Sequence, residues 1–327
     1  MSKIPFNFPD FEPGSVWLTG AGPGDPTLLS LLAWHGLQNS DVIVHDALVP
    51  DELLKAAPKN AKLIYAGKRG GIASPKQTDI SQRLIELAQQ NKRVLRLKGG
   101  DPYIFGRGGE EALALVKANV PFRVIPGISA GVGGLAYAGI PLTHRETNSV
   151  VTFVTGHDAK GVTPASVNWD AIATGSPVLV LYMALRNLED ITERLQQAGR
   201  LPSEPIALIS RATLPDQKVI ITELGVAAAF ASKSKIKSPV IIVIGEVIHL
   251  RDQLNWLGDK NDLKNKIHND LNIKVRARQE TIKGRLELLA NNKGKVLLNH
   301  DTYAVSKGQG CVFYNNNDQL LGGGWIK

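Results

Sequence analysis

Cysteine is nearly absent: Cys311 is the only one in 327 residues. That excludes an intramolecular disulfide and fits a reducing cytoplasm. The 7 histidines are scattered without close ligand spacing, so no metal site is expected. No apolar run approaches the roughly 20 residues that span a bilayer, so no membrane segment is expected. The opening stretch, MSKIPFNFPDFEP, lacks a continuous apolar run, which argues against a secretory signal. No internal repeat is visible.

What is present is enough apolar residue, 43%, to bury substantial cores, and the length suggests two domains or a little more. The net charge of +8 is uneven: from Asp259 onward 12 Lys and Arg face 7 Asp and Glu, whereas the preceding body carries 26 against 23. A mildly basic body suits an acidic small molecule better than a nucleic-acid duplex, while the more basic tail leaves a nucleic-acid partner open.

Short β-branched runs alternate with amphipathic stretches over the first 135 or so residues. Strands are expected at 15–19, 42–45, 62–65, 93–98 and 122–125, and helices at 27–38, 79–90 and 109–118. That alternation predicts a parallel α/β sheet. A small-residue helix at 129–138 leads to a second set of strands, 150–154, 178–182, 206–209, 219–222 and 240–244, with helices at 188–198 and 225–231. The later strands lie closer together, so a mixed sheet is expected there. The implied division is an N-terminal arm 1–14, a first α/β lobe 15–135, a second 136–258, a polar linker 259–272 and a β-rich tail 273–327.

Two glycine-rich loops follow apolar strands: TGAGPGDP after the first, and KGGDPYIFGRGGEE after the fourth. Glycines at such junctions let backbone N–H groups approach a ligand closely. GAGPGD by itself also introduces Rossmann dinucleotide sites and ordinary tight turns. Asp46, in VIVHDALV, reads either as a ribose-binding carboxylate or as a loop cap. Lys68, in YAGKRGG, reads as a solvated charge or as a cation for carboxylates. Gly99, Gly100 and Asp101 expose backbone groups beside a carboxylate suited to ribose hydroxyls or an amino group. Arg107, Glu110 and Arg145 add charge, and arginine pairs bidentately with carboxylates.

Together these strings resemble the tetrapyrrole methylases, which use S-adenosylmethionine. GKRGG, RLKGGDPYIFGRGGEE, GIPLTHR and the TGH at 155–157 narrow the resemblance to the uroporphyrinogen-III C-methyltransferases. It spans roughly residues 14–258. The resemblance implies two α/β lobes with the cofactor in the cleft between them, and a homodimer. It implies two methyl transfers to uroporphyrinogen III, at C2 and C7, giving precorrin-2. It further implies Asp46 as proton acceptor and Lys68 as donor, with Arg107 an alternative proton handler. Pro23, Gly99, Gly100, Asp101, Ser129, Ala130, Met183, Ala212 and Val240 fall at the family's cofactor positions. Arg107, Glu110 and Arg145 fall at those that bind the substrate's eight carboxylates. Ser129 stands where relatives often have threonine, and Ala212 where they have a small or polar residue.

Residues 275–326 are similar to the small C-terminal β-domain of the tRNA 2-thiouridylases, through AVSKGQG, VFY and LGGGWI. That family's nucleotide loop and cysteines are missing, so its activity is not implied. An RNA-binding tail and a fused module without function both stay open.

Overall fold

A computed structural model describes residues 6–67, 77–158, 160–234, 236–258, 267–275, 279–289, 293–300, 302, 305–316 and 319–327. The chain divides into two compact units, Met1–Asn255 and Trp256–Lys327. Among the described residues, no helix is long and apolar enough to cross a membrane.

The first unit begins with strands β1 (Val16–Gly20), β2 (Val42–His45), β3 (Lys62–Tyr65), β4 (Val94–Lys98) and β5 (Phe122–Ile125). They form an all-parallel sheet in the order β3-β2-β4-β1-β5. Helices α1 (Leu31–Asn39), α2 (Asp51–Lys55), α3 (Gln77–Gln89) and α4 (Gly108–Lys117) alternate with them along the chain. A parallel sheet needs both faces covered. Trp17, Ile43, Leu95 and Leu97 bury on one face with Leu37 of α1 and Leu53 of α2. Val16, Val44 and Val94 bury on the other with Leu84 of α3 and Leu115 of α4. Two aromatic side chains of the N-terminal arm lie on this lobe, with Phe11 stacked on Trp17 at 4.2 Å and Phe8 on His35 at 4.7 Å.

The helix expected from residue 27 starts at Leu31 instead. Asp25 accepts from the Thr27 backbone and caps a single 3-10 turn, Pro26–Leu28. Ser30 then accepts from the Ala33 backbone and opens α1. Two capping side chains in quick succession break one amphipathic stretch into two pieces.

The second lobe comprises α5 (Ala130–Tyr137), β6 (Val151–Thr155), α6 (Trp169–Gly175), β7 (Val178–Tyr182), α7 (Leu188–Gln197), β8 (Pro205–Ser210), β9 (Lys218–Glu223), α8 (Ala227–Lys233), β10 (Val240–Ile244) and α9 (Arg251–Leu254). Its sheet runs β6-β7-β10-β8-β9, with β6 and β7 parallel and the remaining pairs antiparallel. The mixed sheet expected from the strand spacing is therefore present. The lobe boundary expected at 135/136 falls inside α5. Leu135 and Ala138 pack with Val180, Ala207 and Ile241 of the second sheet, so their burial assigns the helix to the second lobe.

The second unit is an antiparallel sheet of β11 (Ile267–Lys274), β12 (Ile282–Leu289), β13 (Lys293–Leu298), β14 (Gly310–Tyr314) and β15 (Leu320–Trp325), in the order β13-β12-β11-β14-β15. The linker expected over 259–272 thus ends early, because β11 already starts at Ile267. Leu271 and Ile273 turn into the small core with Leu286 and Cys311, while Asp270 stays exposed. A strand buried on alternate positions carries half its residues polar, which made this one read as linker.

Candidate functional site

The carboxyl ends of the first sheet's strands carry the candidate residues, the edge where open α/β folds hold ligands. β1 leads into the loop of Ala21 to Asp25 and β4 into Gly99 to Asp101, and the two loops are bonded to each other. Gly22 N–H donates to Gly100 O at 3.2 Å, and Gly100 N–H donates to Gly22 O at 2.7 Å. Gly20 and Gly127 make that approach possible. A Cβ at Gly20 would sit 2.5 Å from both Gly100 O and Gly127 Cα, and one at Gly127 would meet the same backbone. Gly100 differs. Its φ of +67° is left-handed, yet among the described residues a Cβ there would have only Ser129 Cα nearby, at 3.9 Å. Asp101 braces its loop, accepting from Tyr103 N at 2.8 Å and from Gly127 N at 3.0 Å.

The second lobe pins the first glycine loop from across the cleft. Asp25 N–H donates to Thr213 Oγ1 at 2.8 Å, and the Tyr137 hydroxyl donates to Asp25 Oδ2 at 2.9 Å. A side chain at Gly24 would strike Thr213 Oγ1 and Ala212 O, at 2.9 and 3.0 Å. Pro23 lies against α5 at Gly133, and Ala212 against α5 at Gly134. Five non-glycine residues in loops of this region have left-handed backbones: Phe105, Arg107, Met183, Arg211 and Thr213, with φ between 51° and 66°. Each such residue costs of order 1–3 kcal/mol and persists where surrounding contacts hold it, typically at binding loops.

Pro23, Gly99, Gly100, Asp101, Ser129, Ala130 and Ala212 are therefore brought together around the paired loops. Met183 follows β7 directly and is exposed, 44% of its surface. Val240 stands apart. The two-residue period of β10 puts its side chain on the face of Ile242 and Ile244, in the core opposite α5, so only its backbone is left for a ligand. Arg107 and Glu110 are exposed and grip each other bidentately, at 2.9 and 2.7 Å. That hydrogen bonding raises the Arg107 pKa and lowers that of Glu110. Arg145 is exposed. Lys68 lies outside the described residues.

Asp46 directly follows β2, is half-buried and reaches a charged cluster that the sequence reading missed. Arg96 Nη2 donates to Asp46 Oδ1 at 2.5 Å, and Arg96 Nε to Glu111 Oε1 at 3.1 Å. Lys98 Nζ donates to Glu111 Oε1 at 3.1 Å and lies 4.0 Å from Asp46 Oδ2. Arg96, Lys98 and Glu111 are at most 3% exposed. Burial works against the charge on Arg96, but Glu111 and Asp46 outweigh it and raise its pKa. Burial, with Arg96 alongside, pushes the Lys98 ammonium down. The signal in the sequence was an Arg and a Lys two apart in an otherwise apolar central strand.

Tyr182 was also missed. It ends β7, and its hydroxyl meets Ser129 Oγ at 2.8 Å and accepts from Gly131 N at 2.9 Å. A side chain at Gly131 would collide with that hydroxyl. Burial raises the Tyr182 pKa, keeping the phenol neutral and able to donate.

A family model described as Tetrapyrrole (Corrin/Porphyrin) Methylases matches residues 15–228, and one described as Aminomethyltransferase beta-barrel domain matches residues 249–326. The chain is 58% identical over 250 residues to a uroporphyrinogen-III C-methyltransferase of a Sinorhizobium species, covering 76% of this chain and 89% of that one. It is 44% identical over 259 residues to a siroheme synthase of Actinobacillus succinogenes, covering 79% of this chain and 54% of the other. The chain thus spans about half the length of such siroheme synthases. Among solved structures, it is similar to a uroporphyrin-III C-methyltransferase of Thermus thermophilus complexed with S-adenosylhomocysteine. The TM-score is 0.64 and the identity 35%, over 72% of this chain and 99% of that one.

Proposed function

The chain belongs to the tetrapyrrole (corrin/porphyrin) methylases, and on that premise we propose that it methylates uroporphyrinogen III at C2 and C7, using S-adenosylmethionine, to give precorrin-2. The observation that carries this reading is the reciprocal bonding of Gly22 and Gly100 at the carboxyl ends of β1 and β4. It sets two glycine loops side by side with the Gly100 Cβ direction open, a space that a side chain would fill and a ligand can use. Pro23, Gly99, Gly100, Asp101, Ser129, Ala130 and Ala212 are the residues that would hold S-adenosylmethionine, with Met183 bordering them.

S-adenosylmethionine supplies an electrophilic methyl group on a sulfonium. A pyrrole carbon of the substrate attacks that methyl with its π pair, the C–S bond pair goes to sulfur, and the ring is left cationic until it loses a proton. The chain's share is orientation and a cleft that limits water. Asp46 is the proton acceptor, held at the cleft edge by Arg96. Lys68 is assigned as donor through the family resemblance alone. Arg107 and Arg145 offer cations for the substrate carboxylates, Arg107 by sharing or releasing Glu110.

The working form in this reading is a cytoplasmic homodimer built from the first unit, with no nucleic-acid partner for that unit. The siroheme synthase relatives support a place on a route to sirohaem. The Asp46→Ala protein tests the acceptor role. Its turnover should fall by on the order of 10²–10⁴-fold while affinity for S-adenosylhomocysteine changes little. A loss confined to that affinity would instead make Asp46 a ribose-binding residue.

A further inference from the structure

We infer that Lys98 and Glu111, acting through Arg96, are positioning residues for Asp46: they form a buried charged brace that holds its carboxylate in one orientation at the cleft edge. This rests on the reading of Asp46 as proton acceptor.

The brace is anchored at Glu111, in the first turn of α4. Its Oε1 accepts three hydrogen bonds, from Arg96 Nε at 3.1 Å, Lys98 Nζ at 3.1 Å and Gln77 Nε2 of α3 at 2.9 Å. Its Oε2 is fully buried and has no partner among the described residues. Arg96 is fixed on all sides, since Nη1 also donates to the Val44 carbonyl at 3.3 Å. The remaining direction, Nη2, points to Asp46 Oδ1, and Lys98 flanks Asp46 Oδ2. His45, before Asp46, turns its Nδ1 to the Asp46 backbone carbonyl, and its ring stacks edge-on against Tyr65.

Stability does not account for such a cluster. Burying the three charged groups of Arg96, Lys98 and Glu111 costs several kcal/mol each before they pair, and apolar residues of similar volume often serve a core as well or better. Asp46 is the one member that reaches solvent, its side chain 29% exposed against 3% or less for the others. The network is thus built inward from the single group facing the cleft. A proton acceptor displaced by about 1 Å can lose on the order of 10²-fold in rate, which gives an inflexible support a function.

The test is a double-mutant cycle on the full chain with uroporphyrinogen III and S-adenosylmethionine. Lys98→Met and Glu111→Gln should each lower kcat roughly 10- to 100-fold with KM for both substrates within about threefold. Added to Asp46→Asn, either change should lower kcat by less than about twofold more, because both act through that carboxylate. Thermal melting and calorimetry with S-adenosylhomocysteine check that each variant is folded. Glu111→Gln, which keeps the side-chain volume, carries the cycle if Lys98→Met unfolds. Additive losses, or losses that appear in KM alone, overturn the brace and leave the acceptor role standing. Full turnover by Asp46→Asn overturns both.

Discussion

Replacing Gly100 by leucine should abolish binding of S-adenosylhomocysteine while leaving the fold standing. The backbone there is left-handed, φ +67°, so any L side chain adds strain of about 1–2 kcal/mol. For a body of this size that lowers Tm by roughly 2–8 °C. Among the described residues no clash accompanies it, because the nearest atom to a Cβ is Ser129 Cα at 3.9 Å. The leucine branches would therefore extend into the space between the loops, where the ligand is placed. A loss of at least about 100-fold in affinity, near 2.8 kcal/mol, is expected. Gly127 provides the contrast. A Cβ there would drive into Gly100 O and come within 2.7 Å of Gly20 Cα, backbone atoms that cannot swing aside, so Gly127→Ala should damage the fold itself. Calorimetry with S-adenosylhomocysteine, paired with thermal melting, separates the two effects. Normal binding by the Gly100→Leu protein would refute the placement of the ligand between these loops.

The Tyr182→Phe protein should lose about 1–3 kcal/mol of stability, since the buried Gly131 N–H is left without its acceptor. It should also bind S-adenosylhomocysteine several-fold more weakly because Ser129 loses its anchor; unchanged melting and binding would show that the hydroxyl is dispensable. Removing residues 259–327 should leave full methyl transfer and a dimer by light scattering, since Met1–Asn255 is a compact unit in itself. A monomeric or inactive truncated protein would make the tail part of the enzyme.

The sheet skeleton was legible because apolar strand runs are local signals. Strands 42–45, 62–65, 122–125, 178–182 and 240–244 appear at the expected residues. Helix α6 was not legible, being seven residues opened by an Asn168 cap within a stretch that otherwise reads as a turn. β11 was hidden by its bulge at Asp270 and by polar residues on its outer face. At the site, the glycine loops announced themselves, yet their hydrogen bonding to each other depends on β1 and β4 being neighbours, a tertiary fact. In the pair Glu110-Glu111, the resemblance marks Glu110, which the structure leaves exposed on Arg107. Glu111, one position on, faces the sheet and anchors the buried cluster, because a shift of one residue turns a helical side chain by about 100°. Tyr182 read as the last residue of an apolar strand, and nothing local reveals that its hydroxyl reaches Ser129, 53 residues away.

The most direct measurement of the central claim is a methyl count. The full chain is incubated anaerobically with uroporphyrinogen III and S-adenosylmethionine labelled in its methyl group, and the product is analysed for mass and for the position of the label. Two labelled methyl groups per macrocycle, on C2 and C7, are predicted. An unlabelled macrocycle, or a label at other carbons only, would contradict the account.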